Sequence, residues 1–268
     1  PDEVPVRLNI VPFKDRRALN LRFPISSHRD QYKSKPVTYV AHMLGHEGKG
    51  SLLSLLRAKG LANSLSAGGG LSFRYNETFD VSIGLTRSGL ERVDEIVALV
   101  FEYIGLIREA GPEQVRFDEL AQLARTNFRF MERRDTSALT RSLASNVHIY
   151  PSVDILRGAV AFDDFAPVPI RKLFARLVPE NLMLTVTAVG LETDRHSYHF
   201  KAPYSRTSIP PSTLATWSGA RTTAELALPE PNPFIATRLD MVDAKEGVRL
   251  PAEIFKEPGF ALWHAADV

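Results

Sequence analysis

Cysteine is absent from this chain of 268 residues, which excludes a disulfide framework, a thiolate zinc site and a cysteine nucleophile. The same absence leaves the compartment open, because a cysteine-free chain suits cytoplasm and periplasm alike. A surplus of one charge is also missing: 33 Lys+Arg against 31 Asp+Glu give a formal net charge of +2. The densest basic cluster is the pair Arg133-Arg134, whereas nucleic-acid binders gather their cations into a footprint, so no nucleic-acid partner is expected. Long apolar runs are lacking too. The greasiest stretch, residues 96–101, is broken by Glu102, and no membrane partner is expected. Glycine, at 16 residues, is far too scarce for a collagen repeat. What is there, 44% hydrophobic and 24% charged residues, is the composition of a globular chain of one large or two small domains. The opening Pro1-Asp2-Glu3 shows neither Met nor a signal-peptide pattern and points to a piece of something longer.

Three segments alternate with period two, as half-buried strands do: Leu19, Leu21, Phe23 and Ile25; Phe79, Val81, Ile83 and Leu85; and Leu182, Leu184, Val186 and Ala188. A weaker one surrounds Leu8 and Ile10. Between the second and third the period becomes helical. Leu90, Val93, Val97, Val100, Ile104 and Ile107 fall on one stripe and Ile96, Leu99, Tyr103 and Leu106 on another, so this helix is packed between neighbours. Gly111-Pro112-Glu113 stops it and starts the next, whose inner side carries Phe117, Leu120, Ala124 and Phe128. Further helices are expected over about 36–46, 51–58, 137–148 and 168–177. Early strands, grouped helices and a late strand predict an α+β fold, a two-layer domain with an antiparallel sheet covered on one face by helices. Prolines 229, 231 and 233 suggest that 229–268 is an extended connector following a domain of residues 1–228.

Metal-ligating residue types crowd together once, in His42-Met43-Leu44-Gly45-His46-Glu47. On a helix, residues four apart share a face, so His42 and His46 could meet one ion. The catalytic orders H-E-x-x-H and H-x-x-E-H also need a carboxylate inside the motif, and Gly45 stands in that slot. Glu47 points away on a continued helix, and no third ligand is local. Gly48-Lys49-Gly50-Ser51 fails the spacing of a phosphate loop. His196 and His199 read as surface residues. The run Gly68-Gly69-Gly70 is either a flexible turn or a place where foreign backbone approaches closely, because glycine puts no side chain in the way. Residues 61–70 carry neither charge nor proline. That is unusual for an edge strand, which proteins normally blunt, unless something docks there; the alternative is an interior strand paired on both sides, with the glycines merely turning the chain.

The block HMLGHEGKGSLLSLLRAKGLANSL from His42, preceded by YKSKP and followed in order by GPEQVRFDEL, NFRFMER, IYPSVDIL, LVPENLMLTV, LPEPNPFIA and LWHAADV, resembles the second domain of the insulysin/pitrilysin family of zinc metallopeptidases. The resemblance covers nearly the whole chain. It implies one of four linked copies of an α+β domain that close as two halves around a peptide, with the zinc in the first copy. HMLGH then looks like a relic of H-x-x-E-H, and Glu119 is the carboxylate nearest to a third-ligand position. By the same resemblance this copy binds substrate: His42, Gly45, Leu65, Ala67 and Gly69 match the family's anchor for the amino-terminal end of an extended peptide, with Ala67 in place of Gly and Gly69 in place of Gln. The implied role is a non-catalytic, substrate-binding and chamber-forming domain with no cofactor of its own. Its partners are an extended peptide substrate and the other domains of the parent. The alternatives are a self-sufficient metallohydrolase using His42, His46 and Glu119 or Glu47, and a place on the inactive subunit of a two-chain peptidase.

Overall fold

The computed structural model describes residues 4–132, 135–219, 224–240 and 250–265. Pro1-Asp2-Glu3, the Arg133-Arg134 pair and two stretches of the expected connector, 241–249 and 266–268, lie outside the described residues. The alternating segments are strands as their periodicity requires: β1 Val6–Ile10, β2 Ala18–Ser26, β4 Asn76–Leu85 and β5 Met183–Thr187. They join β3 Ala62–Ser72, β6 Arg195–His196 and β7 Pro203–Ser208 in one seven-stranded sheet of order β3-β4-β2-β5-β1-β7-β6. Its pairings are antiparallel except for β1 with β5, which run parallel. β5 comes late in the sequence yet sits between β1 and β2, so the chain returns to the middle of the sheet after the intervening helices.

The apolar side of the three clear alternations is buried, from Leu19 through Ile25, Phe79 through Leu85 and Leu182 through Ala188, whereas Leu8 and Ile10 of the weaker one are half-buried. The opposite side is polar and internally bonded: Asn20 donates to Ser82 at 2.8 Å, and the Arg22 guanidinium grips Asp80 with contacts at 3.0, 3.1 and 2.6 Å. Helices cover the apolar side. The helices are α1 Pro36–Leu44, α2 Leu52–Ala58, α3 Arg87–Glu91, α4 Val93–Ala110, α5 Gln114–Arg129, α6 Thr136–Asn146, α7 Pro167–Phe174 and α8 Pro211–Ser218, and of these α6 buries no residue. The two stripes of α4 are both buried, with Val93, Val97, Val100, Ile104 and Ile107 joined by Ile96, Leu99 and Tyr103. Each such side chain taken from water contributes about 2 kcal/mol. On α5 the inner side is narrower than expected: Phe117 and Ala121 are buried, and Phe128 is exposed near the helix end.

Residues Pro1–Asn232 form one compact unit and Pro233–Val268 a second. Residues just past 228 still belong to the first: the Arg116 guanidinium donates to the Pro229 carbonyl, and the Asn232 N–H to Glu119 Oε1 at 3.3 Å. Within the second unit, where an extended connector is expected, β8 Ala252–Glu257 and β9 Phe260–His264 pair as an antiparallel hairpin. Its turn is Pro258-Gly259, with Gly259 at φ +88°. Proline followed by a glycine of positive φ is the residue order of a type II turn.

Candidate functional site

Helix α1 is where the histidines were expected to converge, and it ends two residues short of His46. Gly45 caps it, donating its N–H to the Ala41 carbonyl at 2.8 Å, so His46 lies past the last helical residue Leu44. The two rings still approach edge to face at 6.4 Å between centroids. His46 Nδ1 is occupied, accepting the Gly48 N–H at 3.1 Å. Burial, with a smaller push from His46, holds the His42 imidazole below its ordinary pKa, while Glu119 pulls the other way. Glu119 itself accepts the Asn232 N–H, and Glu47 reaches away to Arg57 at 3.1 Å. Among the described residues no three metal-ligating side chains gather anywhere. A two-imidazole pair with one nitrogen already committed and its nearest carboxylate bonded elsewhere does not fit a zinc site. The neighbouring Gly48-Lys49-Gly50-Ser51 is a helix start: Ser51 Oγ accepts the Ser54 N–H at 3.2 Å, and Gly50 turns at φ +78° with its carbonyl taken by the Ala227 N–H.

β3 is the outermost strand of the sheet, and among the described strands β4 is its one neighbour. Leu65, Ala67 and Gly69 lie opposite Ile83, Val81 and Phe79, the buried residues of β4, so all three belong to the helix-covered face. Leu65 is buried, Ala67 half-buried and Gly69 exposed. The helix comes close. A Cβ at Gly45 would stand 3.0 Å from the Ala41 oxygen and 3.8 Å from the Ala67 nitrogen, and one at Gly69 would stand 3.4 Å from Val37 Cγ1. The structure thus brings Gly45 to Ala67 and aligns Leu65, Ala67 and Gly69 on one strand. His42 sits nearly a turn back along α1, where His46, Glu119 and Arg116 act on it.

Two features bound this edge, and neither was legible in residues 61–70. At its start the Arg57 guanidinium, from α2, donates to the Asn63 carbonyl at 3.2 and 3.0 Å. This is the charged cover that the strand's own sequence lacks. At its end the pairing slips between Gly69 and Ser72, and the Leu71 N–H turns to Thr78 Oγ1 at 2.9 Å. Gly70 is required there: a Cβ would stand 2.4 Å from Thr78 Oγ1 and 2.6 Å from Asp80 Oδ2. The glycine run is therefore bulged strand and not a free turn, and what approaches Gly70 is a pair of side chains of β4. A sequence signal for Arg57 did exist, since its position one turn before the strand lets a long side chain fold back onto it. Gly70 carried no signal, because its reason is a side chain on another strand.

Residues 128–268 match the family model described as "Middle or third domain of peptidase_M16", and residues 3–123 the one described as "Peptidase M16 inactive domain". The insulin-degrading enzyme of Drosophila melanogaster is 33% identical over 264 residues, which are 97% of this chain and 27% of that protein. Its human counterpart is 33% identical over 261 residues, covering 96% and 26%. The A-factor-processing enzyme of Saccharomyces cerevisiae is 28% identical over 270 residues, covering 100% and 26%. The chain spans 26 to 27% of the length of these three curated relatives. Among solved structures, pitrilysin superposes with a TM-score of 0.87 at 24% identity over 97% of this chain and 28% of that one, which shows the same fold.

Proposed function

The chain belongs to the peptidase M16 family, and from that premise we propose that it is the non-catalytic, peptide-binding part of a zinc metalloendopeptidase. It helps to wall the chamber in which an extended substrate is held. The observation that carries this reading is the edge of β3: a strand with one sheet neighbour among the described strands, a glycine-rich stretch that puts few side chains in the way, and a helix laid against Ala67. Such an edge accepts an extended peptide by main-chain hydrogen bonds, which do not read side chains. That suits a peptidase that takes many sequences. Gly45, Leu65, Ala67 and Gly69 form the contact surface, with His42 behind it on α1. The metal chemistry belongs to another part of the parent, for the donor set at His42 and His46 does not fit zinc, and residues 3–123 match a domain described as inactive. The segment after Asn232 leads toward further domains of that parent.

The test is to incubate the purified chain with a long unstructured peptide. Binding without cleavage is expected. Stoichiometric zinc together with peptide hydrolysis that His42→Ala abolishes would overturn the reading in favour of a metallohydrolase.

A further inference from the structure

Where β3 bulges away from β4, the strand runs into a cavity of about 420 Å³. Three cations stand on its wall: Arg29 from the turn before α1, Lys35 at the start of that helix, and Arg74 from the β3–β4 turn. Each is held in a way that leaves its charge uncancelled. Arg29 donates to the His148 carbonyl. Lys35 Nζ donates to the carbonyls of Gly158 and Ala159 at 3.2 and 2.9 Å. Arg74 rests against the Tyr75 ring, 5.4 Å from its centroid. None of the three is paired with a described carboxylate. Glu77, the acid on the same wall, is engaged by His28 twice, through Nδ1 at 2.5 Å and the backbone N–H at 3.1 Å.

Lys35 shows a second peculiarity. It holds a left-handed backbone at φ +39° and ψ +59°, a conformation that costs a side-chain-bearing residue roughly 1 kcal/mol or more. Burial also holds its ammonium below the ordinary range, the mark of a cation short of a counter-charge. The cavity and the open edge share a wall. Val37 lines the cavity and is also the side chain that a Cβ at Gly69 would meet. A peptide lying along residues 65–69 advances about 3.4 Å per residue, so a residue one or two positions past Gly69 arrives at the mouth.

We propose that this cavity is a carboxylate-selecting subsite, in which Arg29, Lys35 and Arg74 receive an acidic group of the peptide paired along β3. The inference deepens the strand-addition reading and rests on it. Main-chain pairing supplies affinity without sequence preference, and the cavity supplies the preference. Lys35 and Arg74 line the same cavity from different elements, one at a helix start and one in a strand turn, and a carboxylate received by both gains charge-assisted hydrogen bonds from each.

A set of eight-residue peptides with one glutamate moved from the first position to the last, against the same set carrying glutamine, tests this by fluorescence anisotropy on the whole chain. Glutamate should bind about tenfold tighter than glutamine at one position near one end, and Arg74→Gln should remove that advantage while leaving the glutamine series unchanged. Comparing free-acid with amidated peptides separates a side-chain carboxylate from a chain terminus, and a preference that follows either one supports a carboxylate subsite. Equal binding of glutamate and glutamine at every position overturns the subsite. Peptides N-methylated at alternate amides test the edge without touching the protein. If they bind as well as unmodified ones while the glutamate advantage persists, strand addition fails and the cavity stands by itself as a carboxylate site. If no peptide binds, both are overturned.

Discussion

β5 and β3 belong to the same sheet and could hardly be used more differently. β5 lies between β2 and β1 with partners on both sides, and Leu184 and Val186 have no exposed surface. β3 has β4 on one side, exposes most of its residues, and depends on glycines where other side chains cross it. The central strand spends its side chains on the core. The edge strand keeps its backbone accessible, with a single guanidinium guarding its start. The contrast teaches that one sheet can separate the residues that make the fold from the surface left over for recognition. A strand whose main chain is to be read by another chain must be stabilised by something other than its own burial, and here α1, α2 and the Arg22–Asp80 grip do so.

The sharpest way to break this comparison is at β5. Leu184→Ala should cost about 3 kcal/mol of stability, the usual scale for emptying a fully buried leucine site, measured by urea denaturation. A loss below about 1 kcal/mol would mean that β5 is not the centre of the core. Next in size is Gly70→Ala. The added methyl must displace Thr78 and the Asp80 end of the Arg22 pair, with an expected cost of about 2 kcal/mol by overpacking; full wild-type stability would show that the bulge is not held by those side chains.

Ala67→Pro addresses the edge itself. A proline on an outer strand is tolerated when the lost N–H faces outward, so stability should change little. Peptide affinity should nevertheless fall about tenfold, equivalent to about 1.4 kcal/mol. An affinity loss matched by an equal loss of stability would mark damage to the fold, and no loss of affinity would remove Ala67 from the binding surface.

The smallest effect concerns His42. Its pKa is held below the ordinary 6.5, chiefly by burial, so the unfolded chain binds the proton more readily than the folded one. The contribution is complete above 6.5 and is lost as the pH falls below that value toward the folded pKa. Stability of the wild type should therefore decline on acidification through this window more steeply than that of His42→Gln, as read from melting temperatures at several pH values. Identical slopes would mean that His42 titrates alike folded and unfolded.

Much of the architecture was written in periodicity. The alternation at 19–25, 79–85 and 182–188 marked the strands and their buried faces, and the double stripe from Val93 to Ile107 foretold a helix covered on both sides, while Leu90, expected on it, falls on the separate helix α3. These patterns survive because burial acts on each side chain wherever its neighbours come from. The hairpin of β8 and β9 was not seen. Its alternation is weak, its residues are exposed on both faces, and proline density upstream argued for an extended chain. The Pro258-Gly259 turn was its one local sign. At the candidate site the order of Gly45 and the two histidines was visible at once, whereas the edge position of residues 65–69 followed from the family resemblance, their lack of charge and proline being by itself unusual for an edge.

By itself the sequence determined the strand and helix faces, the missing carboxylate at Gly45 and the resemblance to M16 peptidases, all properties of residue type and spacing along one line. Only the tertiary structure decided that β5 inserts between β1 and β2, so that strands from the segments matching two family models complete one sheet. It also decided that His46 falls beyond the end of α1, that Arg57 closes the start of the β3 edge, and that three cations separated by as much as 45 positions meet at its other end. The reason is physical: a side chain's burial preference is its own, but pairing order and charge proximity exist only between segments that folding has brought together, and no local pattern encodes the distance between them.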